Sequence, residues 1–257
     1  MGSVEKETLL LWIMRKEEDT MKLTWLGQAG YRLRTENGMV IYIDPYLSDS
    51  LLMEKGDTYI RQVPIREEDQ TTHVDVLILT HLHCDHTDFP PIDPLAAHNP
   101  KMAVMAPLNV LNALRARYPQ VPLHYMLFDR GVEITLGGVR FVSNFACHSD
   151  ERPIGVTIVG DGKVLCHTGD TMYHRQLLEE LPRGADALLI PINGQGYNMN
   201  VVDAARLTRF LQPRTVYTMH WDLFKAYGCD VQSFVSQFKE EERDFIKIPA
   251  HYQEITL

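Results

Sequence analysis

A chain of 257 residues, 45% hydrophobic and 23% charged, suits one large soluble domain or two small ones packed face to face. Its net charge of -9, with no run of Lys or Arg, makes it a poor candidate for wrapping a nucleic-acid backbone, which needs concentrated positive charge. Cys84, Cys147, Cys166 and Cys229 are scattered and form no CxxC pair, so neither a disulfide framework nor a structural zinc knuckle is expected, and a reducing, cytoplasmic setting is.

Residues 4–19 read as a helix set apart from the remainder of the chain. Its Leu9 to Met14 run is apolar almost all round, too short to span a bilayer, and not preceded by the basic segment of a signal peptide. Its flanks carry Glu5, Glu7, Glu17, Glu18 and Asp19, which disfavour a membrane surface. The helix is therefore expected to contribute to a homo-oligomer interface. A single domain is expected from Met21 onward. It opens with a strand meander, "MKLTWL", "YRLRT" and "MVIYID", joined by a "GQAG" turn and the hairpin turn Glu36-Asn37-Gly38. Residues 74–80, "VDVLILT", form a nearly continuous apolar run expected of a strand buried on both faces. A helix is expected over 107–118, with Leu108, Leu111 and Leu114 at helical spacing and Pro107 at its start. Strands come next near 139–145, 155–160 and 163–167, then a helix near 173–181 and a strand over 187–192. The helix over 200–211 is capped by Asn200 and stopped by Pro213. A strand over 214–219 and a helix over 231–241 complete the pattern.

Chemistry concentrates at strand ends. Asp44, the "THLHCDH" loop (80–86), His148, Asp170 and His220 each come after a predicted strand, where a rigid scaffold can hold a site. His81 and His83, two apart on an extended loop, can reach one ion together with His148. Asp85 and His86 can turn toward a second ion with His220, and the two oxygens of Asp170 can bridge both. Two divalent ions held so sit roughly 3.5–4 Å apart and bring a bound water to a pKa of about 7. Imidazole and carboxylate ligands suit zinc and manganese alike. Asp44 reads as an acceptor that orients a ligand histidine. His73, His98, His124, His167, His174 and His251 read as surface or packing residues, and Cys84 as a bystander within the motif.

At these residues the chain resembles the metallo-β-lactamase superfamily. "THLHCDH" matches its HxHxDH signature, and His148, Asp170 and His220 fall in order at its later ligand positions. The resemblance covers nearly the whole chain from Met21 and implies an α/β fold, an αββα sandwich with a dimetal site at the sheet edge. Within the superfamily, "LTWLGQAGYRLRTENG", "HTGDTMYHR", "INGQGYNMNVVDAARL" and "HWDLF" look like segments of the L-ascorbate-6-phosphate lactonase family, whose members are oligomeric. Phospholipase-D-type hydrolases are a second branch with a real resemblance.

The expected activity is metal-dependent hydrolysis of a small sugar-derived lactone, with or without a phosphate, by attack of metal-bound hydroxide on the ester carbonyl. Asp85 and His220 are the candidate catalytic residues, Asp85 moving a proton. Asn193, Gln195 and Tyr197 are candidate substrate contacts on the late loop, and Arg152, Arg175 or Lys225 would serve a phosphate. A phosphodiesterase, or a metal-binding protein without turnover, are the alternatives.

Overall fold

The computed structural model describes residues 20–121 and 123–257; the helix expected over 4–19 lies outside them. Three strands open the domain as an antiparallel meander: β1 (Lys22–Gly27), β2 (Gly30–Arg34) and β3 (Val40–Ile43). The Glu36-Asn37-Gly38 turn closes the hairpin as expected, with Gly38 at φ 85° and its N–H donating to Thr35 O. Parallel strands β4 (Val76–Ile78), β5 (Ala103–Ala106) and β6 (His124–Leu127) extend this sheet. Its remaining member, β14 (Glu254–Thr256), comes from the far end of the chain and pairs antiparallel with β1.

The second sheet starts as a meander of β7 (Glu133–Leu136), β8 (Val139–Phe145), β9 (Ile154–Gly160) and β10 (Lys163–His167). It continues in parallel through β11 (Ala187–Pro191), β12 (Thr215–Met219) and β13 (Ile246–Lys247). The inner faces of the two sheets share one core, built around Trp25, Tyr31, Phe128, Phe141 and Ile158. Helices Phe89–His98 and Leu108–Arg117 cover the outer face of the first sheet through Leu95, Val110, Leu111 and Leu114. Helices Arg175–Glu180, Val201–Leu211 and Val231–Val235 cover the second through Leu177, Leu207 and Phe234. The layers run αββα, as the sequence leads one to expect.

Several boundaries depart from expectation for visible reasons. The strand expected over 74–80 narrows to Val76–Ile78, because the Thr80 N–H leaves the ladder to donate to the Asp44 carboxylate at 2.8 Å. Pro107 caps the next helix from outside. Leu108 is exposed there, and the buried face runs through Val110, Leu111 and Leu114. The helix expected over 231–241 stops at Val235, and a short 3-10 turn, Glu240–Phe245, comes after it. In the gap, Ser236 and Gln237 side chains donate to Ser233 O, competing with the helical ladder. Helix Val201–Leu211 forms as read, with Asn200 Oδ1 accepting from both Val202 N and Asp203 N.

Candidate metal centre

Asp44 comes directly after β3, His81 lies just past β4, His148 past β8, Asp170 past β10 and His220 directly past β12. The two sheets thus deliver their ends to one place. Two of these ends are unusual: Asp44 (φ 42°) and His220 (φ 63°) both occupy the left-handed region, which costs an ordinary residue on the order of 1–3 kcal/mol.

Ligand-capable atoms of His81, His83 and His148 lie within 4.8 Å of one another, and so do those of Asp85, His86 and His220. His148 Nε2 is 3.0 Å from His83 Nδ1. Asp170 Oδ2 lies between the groups, 3.0 Å from His220 Nε2, 3.3 Å from His86 Nε2 and 3.8 Å from His148 Nε2. Asp85 Oδ2 is 3.2 Å from His220 Nε2. All seven residues expected as ligands therefore converge.

Hydrogen bonds behind them set which nitrogen carries a lone pair. His148 Nδ1–H donates to Tyr197 O at 3.1 Å, since a carbonyl can only accept, and this leaves Nε2 free. His86 Nδ1–H donates to Asp44 Oδ2 at 2.7 Å. Thr80 gives its one hydroxyl proton to Asp44 Oδ2, so it accepts from His81 Nδ1–H at 3.0 Å. Asp44 thus orients His86 directly and His81 through Thr80, the role expected of it. His81 Nε2, His86 Nε2 and Asp170 Oδ1 are buried without a hydrogen-bond partner. Each orphaned group costs about 1–3 kcal/mol. Polar atoms left without a partner in one buried cluster are what a cation would satisfy, and this donor set fits one.

The electrostatics split the imidazoles into two kinds. Burial, reinforced by neighbouring imidazoles, holds His81 well below its ordinary value, and burial also lowers His148. At His86 and His220 burial works the same way, but Asp170 and Asp85 outweigh it; His220 is pushed up to about 9 and His86 is also raised. Burial would raise Asp85 and Asp170, yet the facing His86 and His220 hold both carboxyls well below the usual range. Before an ion binds, His86 and His220 therefore carry protons at pH 7, and a ligating nitrogen cannot. Metal uptake at pH 7 is expected to release up to two protons. Calorimetric titration in buffers of different ionisation enthalpy measures the number, and a value of zero would contradict the assignment of these two ligands. The release should shrink as pH rises past about 9, above which His220 is mostly neutral before the ion binds.

A cavity of about 370 Å³ opens over the cluster, faced by Gln28, His83, Asp85, Asp170 and His220. Asn193, Gln195 and Tyr197 line it, as expected of the late loop. The three cations expected for a phosphate do not. Arg152 is bound to Asp129 at 2.8 Å and lines a neighbouring hollow of about 460 Å³, which reaches only His148 among the seven ligands. Arg175 is paired with Glu179 at 3.2 Å, one helical turn away, and Lys225 is exposed outside the lining. Because the larger hollow lacks the rest of the cluster, the chemistry belongs to the smaller cavity.

Other residues around the site carried little signal in the sequence. Gln28, within the "GQAG" turn, donates from Nε2 to Asp85 Oδ2 at 2.8 Å. Asn198 donates to Asp170 Oδ2 at 2.8 Å and accepts from Thr171 N at 2.9 Å. His167 is buried and satisfied, donating to Ala29 O at 2.9 Å and accepting from Gly169 N at 3.0 Å, as its packing assignment implies. His251 stacks on Trp25 with centroids 4.1 Å apart. Cys84 borders the cavity, half-buried, with its Sγ facing Glu54.

Fold and site define a class, and comparison with known proteins agrees with it. Residues 40–221 match the family described as the beta-lactamase superfamily domain, and the chain belongs to that superfamily, with its metallo-β-lactamase fold. Its relatives narrow the placement to the UPF0173 metal-dependent hydrolases. A UPF0173 protein of Pyrococcus furiosus is 31% identical over 86% of this chain and 90% of its own length. A UPF0173 metal-dependent hydrolase of Thermodesulfovibrio yellowstonii is 28% identical over 86% of each chain. Among solved structures, the metallo hydrolase Igni18 of Ignicoccus hospitalis superposes with a TM-score of 0.74 at 20% identity, covering 93% of this chain and 98% of that one. The protein is a metal-dependent hydrolase of this superfamily.

Proposed function

We propose that the protein opens a small sugar-derived lactone and uses two divalent ions, zinc or manganese, to do so. His81, His83 and His148 would hold one ion, and Asp85, His86 and His220 the other, with Asp170 between them. Such ions supply Lewis acidity toward the ester carbonyl and make water nucleophilic near neutral pH. The chain supplies the rest. Asp44, Thr80 and the Tyr197 carbonyl fix the imidazoles, and Asn198 and Gln28 fix the two carboxylates. Asp85, whose carboxylate faces the cavity, is placed to take a proton from the attacking water and pass it to the departing ring oxygen, so that the product is the open-chain hydroxy acid.

The observation that carries the lactone reading is the cavity wall. Gln28, Asn193, Gln195 and Asn198 line it with neutral amides, and Ser149 adds a hydroxyl. Amides suit a hydroxyl-rich ring, which both donates and accepts, whereas a phosphodiester would favour more than one arginine or lysine. Purified, metal-loaded protein should be given a panel of aldonolactones and a bis-nitrophenyl phosphate, with metal content determined by elemental analysis. The kcat/KM for the best lactone is expected to exceed that for the diester by on the order of 100-fold. The opposite order would establish the phosphodiesterase alternative, and absence of turnover on both would leave a metal-binding protein.

A further inference from the structure

The connection from β8 to β9, which carries His148, is braced by a carboxylate that takes no part in the chemistry above. Asp150, two residues past His148, accepts hydrogen bonds from three parts of the chain. Its Oδ1 accepts from Arg152 N at 2.9 Å, which by itself is ordinary turn chemistry. The same oxygen accepts from Asn109 Nδ2 at 2.7 Å, the second residue of helix Leu108–Arg117. Its Oδ2 accepts from the Leu82 N–H at 2.9 Å, inside the ligand loop and between His81 and His83. Among the described residues no lysine or arginine side chain pairs with this carboxylate, because Arg152 gives its guanidinium to Asp129. The charge of Asp150 is spent on three neutral N–H groups.

The bond to Leu82 acts on the peptide that joins two ligands. The other polar end of that peptide, His81 O, accepts from Thr87 Oγ1 at 2.6 Å. One residue earlier, Thr80 O accepts from Ile154 N at 3.1 Å. The planar His81–Leu82 peptide is thus held at both ends, and with it the course of the chain into His83. His83 depends on this more than the other histidines of its loop. Thr80 orients the ring of His81, Asp44 that of His86, and the Tyr197 carbonyl that of His148. Among the described residues the His83 ring has one hydrogen-bonding contact, His148 Nε2 itself. Its placement therefore comes through the backbone. Asp150 is anchored in turn: Asp129 accepts from Leu108 N at 3.2 Å and from Arg152 Nε and Nη2 at 3.0 and 2.8 Å. Arg152 meets no phosphate there; it fixes the turn that presents Asp150.

We propose that Asp150 is a positioning residue for one of the two ions: by tying the His81–Leu82 peptide to the turn after His148, it brings His81, His83 and His148 to a common point. This rests on the two-ion part of the reading above, whatever the substrate. The other cluster is held by different groups, Gln28 at Asp85 and Asp44 at His86, so Asp150 acts on the first and leaves the second alone.

The test measures zinc affinity by competition with a chelator, with one cluster disabled at a time. In the His86→Ala chain the intact cluster is His81, His83 and His148. Adding Asp150→Ala there is expected to weaken zinc binding by about 10–100-fold, the range for groups that orient a ligand from behind. In the His83→Ala chain the other cluster is intact, and the same addition is expected to change affinity by no more than about twofold, as for uncoupled sites. Asp150→Asn keeps the size of the side chain but turns an amide N–H toward one of its donors, so it too should weaken binding in the His86→Ala chain. Adding Asn109→Asp supplies an acceptor for that N–H and leaves the amide oxygen to Leu82, so most of the affinity should return. A residue with a purely space-filling role would show no such rescue. Circular dichroism of the metal-free chains checks the fold, and if Asp150→Ala does not fold, Asp150→Asn and its rescue decide. Unchanged affinity in the His86→Ala chain, equal losses in the two chains, or absence of rescue would each overturn the proposal. If wild type binds a single zinc, or either single-cluster chain binds none, the picture of two separate ions fails and the comparison moves to wild type. There, loss of affinity together with its rescue supports the role of Asp150, and absence of either overturns it.

Discussion

Asp170→Ala is expected to lose at least one ion per chain and to lower kcat/KM by on the order of 10³-fold or more, with the fold retained. The carboxylate is almost wholly buried and approaches both clusters: its Oδ2 lies within 3.3 Å of His86 and His220, and 3.8 Å from His148. Its Oδ1 is buried without a partner. Alanine removes both oxygens at once and leaves His220 without its nearest carboxylate and His86 Nε2 without the one it faces. Elemental analysis, hydrolysis rate and circular dichroism on the same preparation check the three parts of the expectation. A variant with full metal content and full activity would refute the assignment of Asp170.

The largest effect on stability is expected one residue earlier, from a single methyl group. Gly169 sits at φ 64°, and a Cβ there would lie 2.3 Å from the Ile154 carbonyl oxygen, at the start of β9. Gly155, across the same contact, has room for no Cβ either, since Thr168 O would be 2.8 Å away. The left-handed conformation costs Ala about 1–2 kcal/mol. Pushing β9 aside adds about 1–3 kcal/mol, as overpacking does in other cores. Gly169→Ala is therefore expected to lower stability by roughly 2–5 kcal/mol, a Tm shift on the order of 10 °C for a domain of this size. Asp170 is carried along, so metal content should fall too. Thermal unfolding of the metal-free proteins isolates the backbone effect from ligand loss, and a Tm within about 2 °C of wild type would show that β9 yields without cost.

How much the sequence reveals depends on how local each signal is. The ligand loop is legible because His81, His83, Asp85 and His86 sit within six positions, directly after a buried apolar run. His148, Asp170 and His220 are legible because each closes a strand whose hydrophobic pattern is itself clear. Asp44 reads as an orienting acceptor and accepts from His86 Nδ1, but Thr80, which extends its reach to His81, does not stand out, because a threonine at a strand end has no distinctive pattern. Gln28 looks like a turn residue; only the fold brings it across from β1 to Asp85. The phosphate contacts illustrate the opposite error. Arg152, Arg175 and Lys225 lie near ligands in the chain, yet none of them lines the cavity. Helix Phe89–His98 escapes notice because Pro90, Pro91 and Pro94 argue against a helix, although the first two fall in its opening turn, where a missing N–H costs nothing. Strands β6, β7, β13 and β14 are only two to four residues long and partly exposed, too short for a period of two to stand out.

The pairing of β14 with β1 ties the domain's assembly to the timing of its synthesis. Lys22 faces Thr256 and Thr24 faces Glu254, so a strand made near the beginning receives a neighbour made near the end. At ribosomal rates of about 5–20 residues per second, roughly 10–50 s separate the two. Throughout that interval β1 presents one open flank of amide and carbonyl groups, the kind of edge that recruits strands from other chains. Leu23 and Trp25, which the finished sandwich buries, wait with it until the second sheet arrives to cover them. A nascent chain of this design stays open to such pairing until β14 is made, and that strand is what removes the hazard.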